Sequence, residues 1–98
     1  MNFDDLIFAE LSHIPFGHTI SYGQLARQIG YANHARQVAR TLKNLPKDTQ
    51  LPWHRVINSQ GKISLPKQSD AYTEQRARIL SEGVPITNDT VKKPYFLG

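Results

Sequence analysis

Residues Leu51 to Ser64 read LPWHRVINSQGKIS and put an indole, an imidazole and a guanidinium in succession at Trp53, His54 and Arg55, behind Pro52. An imidazole in such a setting can accept or relay a proton, but transfer of a group to the protein itself needs a nucleophile beside it. None of its neighbours is one, and the chain contains no cysteine. Thiolate nucleophiles, thiolate metal ligands, disulfides and redox switching are excluded together. Trp53 offers an N–H donor and a π surface with no useful nucleophilicity. This stretch can therefore stack, pack and hydrogen-bond. On the residues alone, Trp53 suits a core as well as a binding surface, and His54 and Arg55 suit structural ties between the loop and the rest of the fold. His13, His18, His34 and His54 show no metal-ligand spacing, so neither a metal nor another cofactor is expected.

A second set of chemistry-bearing residues lies upstream. Arg36, Arg40 and Lys43 share one face of a helix predicted to open at an Asn33 N-cap, while Ala35, Val38, Ala39 and Leu42 form its inward stripe. The basic face suits a polyanion and equally suits solvent. The helix before it starts at Ser21, where S-x-x-Q with Gln24 reads as a capping box. Its stripe is Tyr22, Leu25, Ala26 and Ile29, and Gly30 supplies a left-handed stop. Two short helices in this order, the second one basic, are the signature of a helix-turn-helix.

The elements that must hold these residues follow from periodicity. Asn2 to His13 predicts a helix burying Phe3, Ile7 and Leu11, with Ile14 just beyond it, before Pro15 and Gly17 end the run. Val56-Ile57 and Lys62-Ile63 flank Asn58-Ser59-Gln60-Gly61 and predict a hairpin serving as a small wing. A last helix is expected from about Ser69 to Glu82, with Tyr72, Ile79 and Leu80 inward, and residues 84–98 as an irregular tail. The expected fold is mainly α, a winged-helix-like helix-turn-helix domain spanning residues 1–98 without an internal repeat or linker.

Twelve Lys and Arg against eight Asp and Glu give a net charge of +4 and a pI near 9.6. That balance favours a polyanionic partner without proving one. No apolar run is long enough to cross a membrane, and MNFDDLIFAELSH has acids where a secretory signal needs bases. A cytoplasmic protein is expected, nucleoid-associated when on DNA, and a monomer, since the predicted core leaves no apolar helix face over.

The segments IPFGHTISYGQLA, the Ala35-Arg36 to Leu42 helix, PWHRVINSQGKIS and EQRARILSEGV together resemble the DNA-binding domain of the O6-alkylguanine-DNA alkyltransferases, from about Phe3 to Val84. The central motif of that family is Pro-Cys-His-Arg-Val, whose cysteine takes the alkyl group from the damaged base. Position 53 here is Trp, so the sequence is similar to the alkyltransferase-like branch, which binds the lesion without transferring it. The resemblance implies that this chain is not an enzyme. Removing an alkyl group from an aryl ether needs a soft, strong nucleophile, and only a thiolate meets that need at neutral pH. The family orients its histidine with a glutamate; aligning the LSEG turn puts Arg76 at that place, with Glu74 two residues away, so a second catalytic role is expected to be missing.

What the resemblance implies for binding is specific. The partner is double-stranded DNA containing O6-alkylguanine, entered from the minor groove with Ala35, Val38 and Ala39 against it, and handed on to nucleotide-excision-repair proteins. Arg36 fills the space left by a flipped base and Tyr22 crowds the 3′ phosphate, with Arg40 and Lys43 as phosphate contacts. The lesion pocket is drawn on Tyr22, Pro52, Trp53, His54, Arg55, Ser64 and Lys67. The loop Ser64-Leu65-Pro66-Lys67 closes over it, lacking the family's tyrosine and serine near Pro66 and Lys67. The segment Val91 to Gly98 is a candidate surface for a repair partner. The alternative is a winged-helix regulator that reads undamaged sequence, a reading in which PWHRV has no evident task.

Overall fold

A computed structural model describes residues 1–98. Helix α1 runs Phe3–Leu11 and is capped by Asn2, whose side chain accepts from the Asp5 N–H at 2.8 Å. Strand β1 is Ile20–Ser21, α2 Tyr22–Gln28, α3 Ala35–Lys43, β2 Val56–Ile57 and α4 Asp70–Ser81, with a 3-10 turn over Trp53–Arg55. Four helices and one small sheet give the expected mainly α architecture. The hydrophobic stripes explain it: Ile7 and Leu11 of α1, Leu25 and Ala26 of α2, and Val38 and Leu42 of α3 meet Ile14, Ile20 and Val56 in one cluster.

Ile57, Ile79, Val84 and Val91 form a second cluster. Successive strand side chains point to opposite faces, so β2 sends Val56 into the first cluster and Ile57 into the second. This strand has no solvent face, which is why its sequence is apolar on both sides.

Several expectations change. Val56 and Ile57 do not pair with Lys62 and Ile63; they pair in parallel with Ile20 and Ser21. The wing is a turn instead of a hairpin, closed by the Asn58 N–H on the Lys62 carbonyl at 2.9 Å and by the Asn58 side chain on two N–H groups. The Asn side chain satisfies the turn locally and leaves β2 free to take a distant partner. Residues 84–98 form no helix and no strand of their own, as expected of an irregular tail, but they are docked on the domain. Thr19 donates to Tyr95 at 2.7 Å and accepts from Leu97 at 2.8 Å, and the Ser21 N–H and hydroxyl both reach the Gly98 carbonyl. The tail is thereby laid along the free edge of β1.

Ser21 caps α2 through its hydroxyl, 3.0 Å from the Gln24 N–H, but Gln24 does not reach back: its Oε1 accepts from Arg27 instead. The N-cap of α3 is His34, one residue after Asn33, and its ring makes no cap bond. It packs between Phe3 and Tyr31, with ring centroids 5.8 and 5.2 Å away. Burial of the ring displaces the capping role. On α4, Leu80 is 40% exposed, and the inward position belongs to Gln75 at 1%.

Candidate nucleic-acid interface

A cleft of about 650 Å³ opens between α3 and α4. One wall is the basic face of α3, with Arg36, Ala39, Arg40 and Lys43; the other is the first two turns of α4, with Asp70, Glu74 and Gln75. Tyr22 and Trp53 lie in it, and Ser64 to Pro66 form its lip. The helix-turn-helix and the PWHRV turn, far apart in sequence, thus share one concavity.

Tyr22 starts α2, where the Ser21 cap fixes its backbone, and its hydroxyl meets Ser64 Oγ at 3.0 Å. Burial pushes that phenol above its ordinary value, against the opposing effect of the Ser64 bond, so it stays a neutral donor or acceptor at neutral pH. Trp53 is half-buried in its 3-10 turn, edge-to-face with His54, and the Arg78 guanidinium stands 5.7 Å from its ring centroid. Arg78 in turn pairs with Glu74 at 2.6 Å.

Behind the turn lies a buried polar knot. His54 Nε2 is 2.6 Å from Glu82 Oε2. Arg55 Nε donates to both oxygens of Glu82 at 3.1 and 3.0 Å, its Nη1 donates to the Ile14 carbonyl, and the Gly17 N–H donates to Glu82 Oε1 at 2.8 Å. Burial lowers the His54 pKa and outweighs the raising effect of Glu82, so the imidazole is neutral. Burial pulls Glu82 upward, but donors from Arg55, Gly17 and His54 overcome it and hold the carboxyl below its ordinary value. Gln75 completes the knot by donating to the carbonyls of His54 and Val56 at 3.3 and 2.9 Å.

The expected site residues divide. Tyr22, Arg36, Ala39, Arg40, Lys43, Trp53 and Ser64 all line the cleft. Pro52, His54, Arg55, Ala35 and Lys67 do not, and His54 and Arg55 belong to the knot behind it. Val38 is fully buried, so it is core and cannot lie against DNA. Lys67 points to Asp89 at 2.9 Å, a bond that raises its pKa, and therefore makes no part of the lip. The glutamate is also present: it is Glu82, in the LSEG turn itself, and Arg76 is an exposed residue of α4. As the C-cap of α4, Glu82 turns back towards the 3-10 turn. One catalytic role is missing, that of the nucleophile, and not two.

Gln75 and Arg78 join the site without a sequence expectation, and Glu74 lines the cleft and pairs with Arg78. Gln75 carried a legible signal, since it falls with Tyr72 and Ile79 on the stripe that α4 turns inward, and a buried amide needs fixed partners. Arg78 carried none, because an arginine on a helix reads as solvated until its ring partner is placed.

Comparisons with known proteins agree with this geometry. The "DNA base-flipping protein" of Vibrio parahaemolyticus is 46% identical over 81 residues, covering 83% of this chain and 79% of that one. "Alkyltransferase-like protein 1" of Schizosaccharomyces pombe is 41% identical over 80 residues, covering 82% and 74%. The crystal structure of S. pombe Atl1 with damaged DNA containing O6-carboxymethylguanine superposes with a TM-score of 0.87 at 34% identity, covering 100% of this chain and 99% of that one. Residues 2–84, which hold the helix-turn-helix, the PWHRV turn and the Glu82 knot, match the family described as 6-O-methylguanine DNA methyltransferase, DNA binding domain. By that match, and by the fold and motifs it shares, the chain belongs to this family.

Proposed function

We propose that this protein is a DNA damage sensor without chemistry: it binds O6-alkylguanine in duplex DNA through the minor groove, flips the base into the α3–α4 cleft and flags it for nucleotide-excision repair. The observation that carries the reading is the meeting, in one cleft, of a basic recognition-helix face with the Tyr22–Ser64 pair and the Trp53 indole. The relatives named for base flipping, and the Atl1 complex with damaged DNA, support it.

Each residue has a task in this reading. Flipping costs a few kcal/mol, least for a poorly paired, damaged base. Arg36 enters the stack and holds the space, where its planar fork can bond or stack on the orphaned base. Tyr22 crowds the phosphate and turns the nucleotide. Trp53 receives the base, and an aromatic–base contact of roughly 1–3 kcal/mol is of the size needed to offset flipping. Arg40 and Lys43 contact phosphates, and Ala39 lets the backbone come close to the groove. The cleft volume lies within the range of sites that enclose small ligands, enough for a purine with its adduct. With no cysteine in the sequence there is no thiol to accept the alkyl group, and the lesion is released unchanged.

The protein acts as a monomer on nucleoid DNA in the cytoplasm, and the repair proteins recognise the bent complex. No helix is long and apolar enough to cross a membrane. The test is equilibrium binding to two duplexes that differ only in guanine or O6-methylguanine, followed by assay of the recovered DNA for the methyl group. Tighter binding to the lesion with the methyl retained is expected. Equal affinities point instead to a regulator reading undamaged sequence, and a vanished methyl makes the protein an enzyme.

A further inference from the structure

The backbone of a 3-10 turn fixes where Trp53 starts and leaves open where its indole goes, since two side-chain torsions remain. The face that meets the cleft has to stay bare to receive a base, so the ring cannot be held by packing on that side. Three contacts are available elsewhere, one of them the first hydrophobic cluster, against which Trp53 packs. His54 meets the indole edge-to-face, with centroids 6.4 Å apart at 89°. The Arg78 guanidinium lies 5.7 Å from the ring centroid, inside the reach of a cation–π contact. Arg78 is not among the residues lining the cleft, whereas Trp53 and Glu74 are.

An arginine on a helix surface is mobile unless its own head group is fixed. Glu74, one turn earlier on α4, does this at 2.6 Å, in the i,i+4 order that favours such pairs. Glu74, Arg78 and Trp53 therefore form a chain running from the first turns of α4 to the cleft floor. It ties the orientation of the indole to a helix that is itself anchored through Gln75 and Ile79.

We propose that Arg78, held by Glu74, is a positioning residue for Trp53: it backs the indole from outside the cleft and so sets how strongly the pocket prefers a damaged base. The inference rests on the sensor reading for its second half only. The first half, control of the ring, is measurable on the free protein, because Trp53 is the one tryptophan in the chain.

The experiment compares Arg78→Ala, Arg78→Lys and Arg76→Ala with the unaltered protein. Arg76→Ala removes the same charge from the same helix without touching Trp53. Acrylamide quenching of Trp53 fluorescence reads ring mobility, and the ratio of affinities for O6-methylguanine and guanine duplexes reads pocket preference. Arg78→Ala is expected to raise the quenching constant about two-fold and to lower the ratio about two- to five-fold, the range that one partly exposed cation–π contact supports. Arg78→Lys, which keeps a cation over the ring, should recover part of both, and Arg76→Ala should change neither.

Quenching that is the same in all four proteins overturns the positioning role. Increased quenching with an unchanged ratio overturns the link to lesion preference. Equal changes in Arg78→Ala and Arg76→Ala show a charge effect and overturn both halves. If the unaltered protein shows no lesion preference, the sensor reading fails, and quenching alone still decides whether Arg78 holds the ring.

Discussion

His54 Nε2 lies 2.6 Å from Glu82 Oε2, so the acid–histidine pair persists where the nucleophile has gone. Its persistence has a structural cause. Glu82 also gathers Arg55 and the Gly17 N–H, and Arg55 reaches the Ile14 carbonyl, which ties together the end of α4, the PWHRV turn and the turn after α1. The Glu82 side chain is 7% exposed, and removing one partner of a buried ion pair leaves the other uncompensated. Glu82→Ala is therefore expected to cost about 3–5 kcal/mol in urea unfolding, a large part of the stability of a domain this size. A loss within about 1 kcal/mol, the range of exposed pairs, shows that the knot is not a structural tie.

The same pair makes stability depend on pH. Both folded pKa values lie below their ordinary ones, 6.5 for His54 and 4.5 for Glu82. Just below each ordinary value the unfolded chain binds more protons than the folded one, so stability falls with acidification. The His54 contribution is complete above pH 6.5 and is lost as pH falls through the folded value. The Glu82 contribution is complete above pH 4.5 and is lost in the same way lower down. The urea midpoint should decline in two stages, with His54→Gln removing the first. A midpoint that is flat between pH 7.5 and 5.5 contradicts a buried neutral imidazole.

Local patterns were legible where a residue's role is set by its near neighbours. The stripes of α1, α2 and α3, the Ser21 cap and the clustering of Arg36, Arg40 and Lys43 all follow from spacing of three and four residues. The strand partner of Val56-Ile57 did not, because a parallel pair needs a remote segment and Lys62-Ile63 offered a nearer one. Glu82 was hidden in plain view: as a C-cap its direction depends on how the helix ends, which periodicity does not describe. Lys67 looked like a lip residue because its neighbours are, and Asp89, 22 positions away, takes it elsewhere.

That last displacement separates two kinds of cation in a DNA titration. Arg40 and Lys43 line the cleft, so alanine at either should lower the slope of log affinity against log salt by about one and weaken damaged and undamaged duplexes alike. Lys67→Ala should leave both the slope and the lesion preference unchanged, since its ammonium is engaged by Asp89 away from the cleft. A loss of lesion preference in Lys67→Ala places that residue back over the pocket.

The docking of the C-terminal segment turns on Gly61. Its φ is +79°, its carbonyl accepts from the Val91 N–H at 2.8 Å, and a Cβ added there would stand 2.6 Å from the Val91 carbonyl oxygen. Alanine at this position carries two costs, the left-handed backbone and the displacement of Val91 from the second core cluster. Gly30 separates them, because its φ of +86° is similar and nothing lies within 4 Å of an added Cβ. Gly30→Ala should lose only the conformational part, roughly 1–2 kcal/mol. Gly61→Ala should lose that and about 1–3 kcal/mol more from overpacking, and the Val91 and Leu97 amides should exchange faster with solvent. Equal losses in the two variants, with exchange at Val91 unaltered, show that the segment does not depend on the close approach at Gly61.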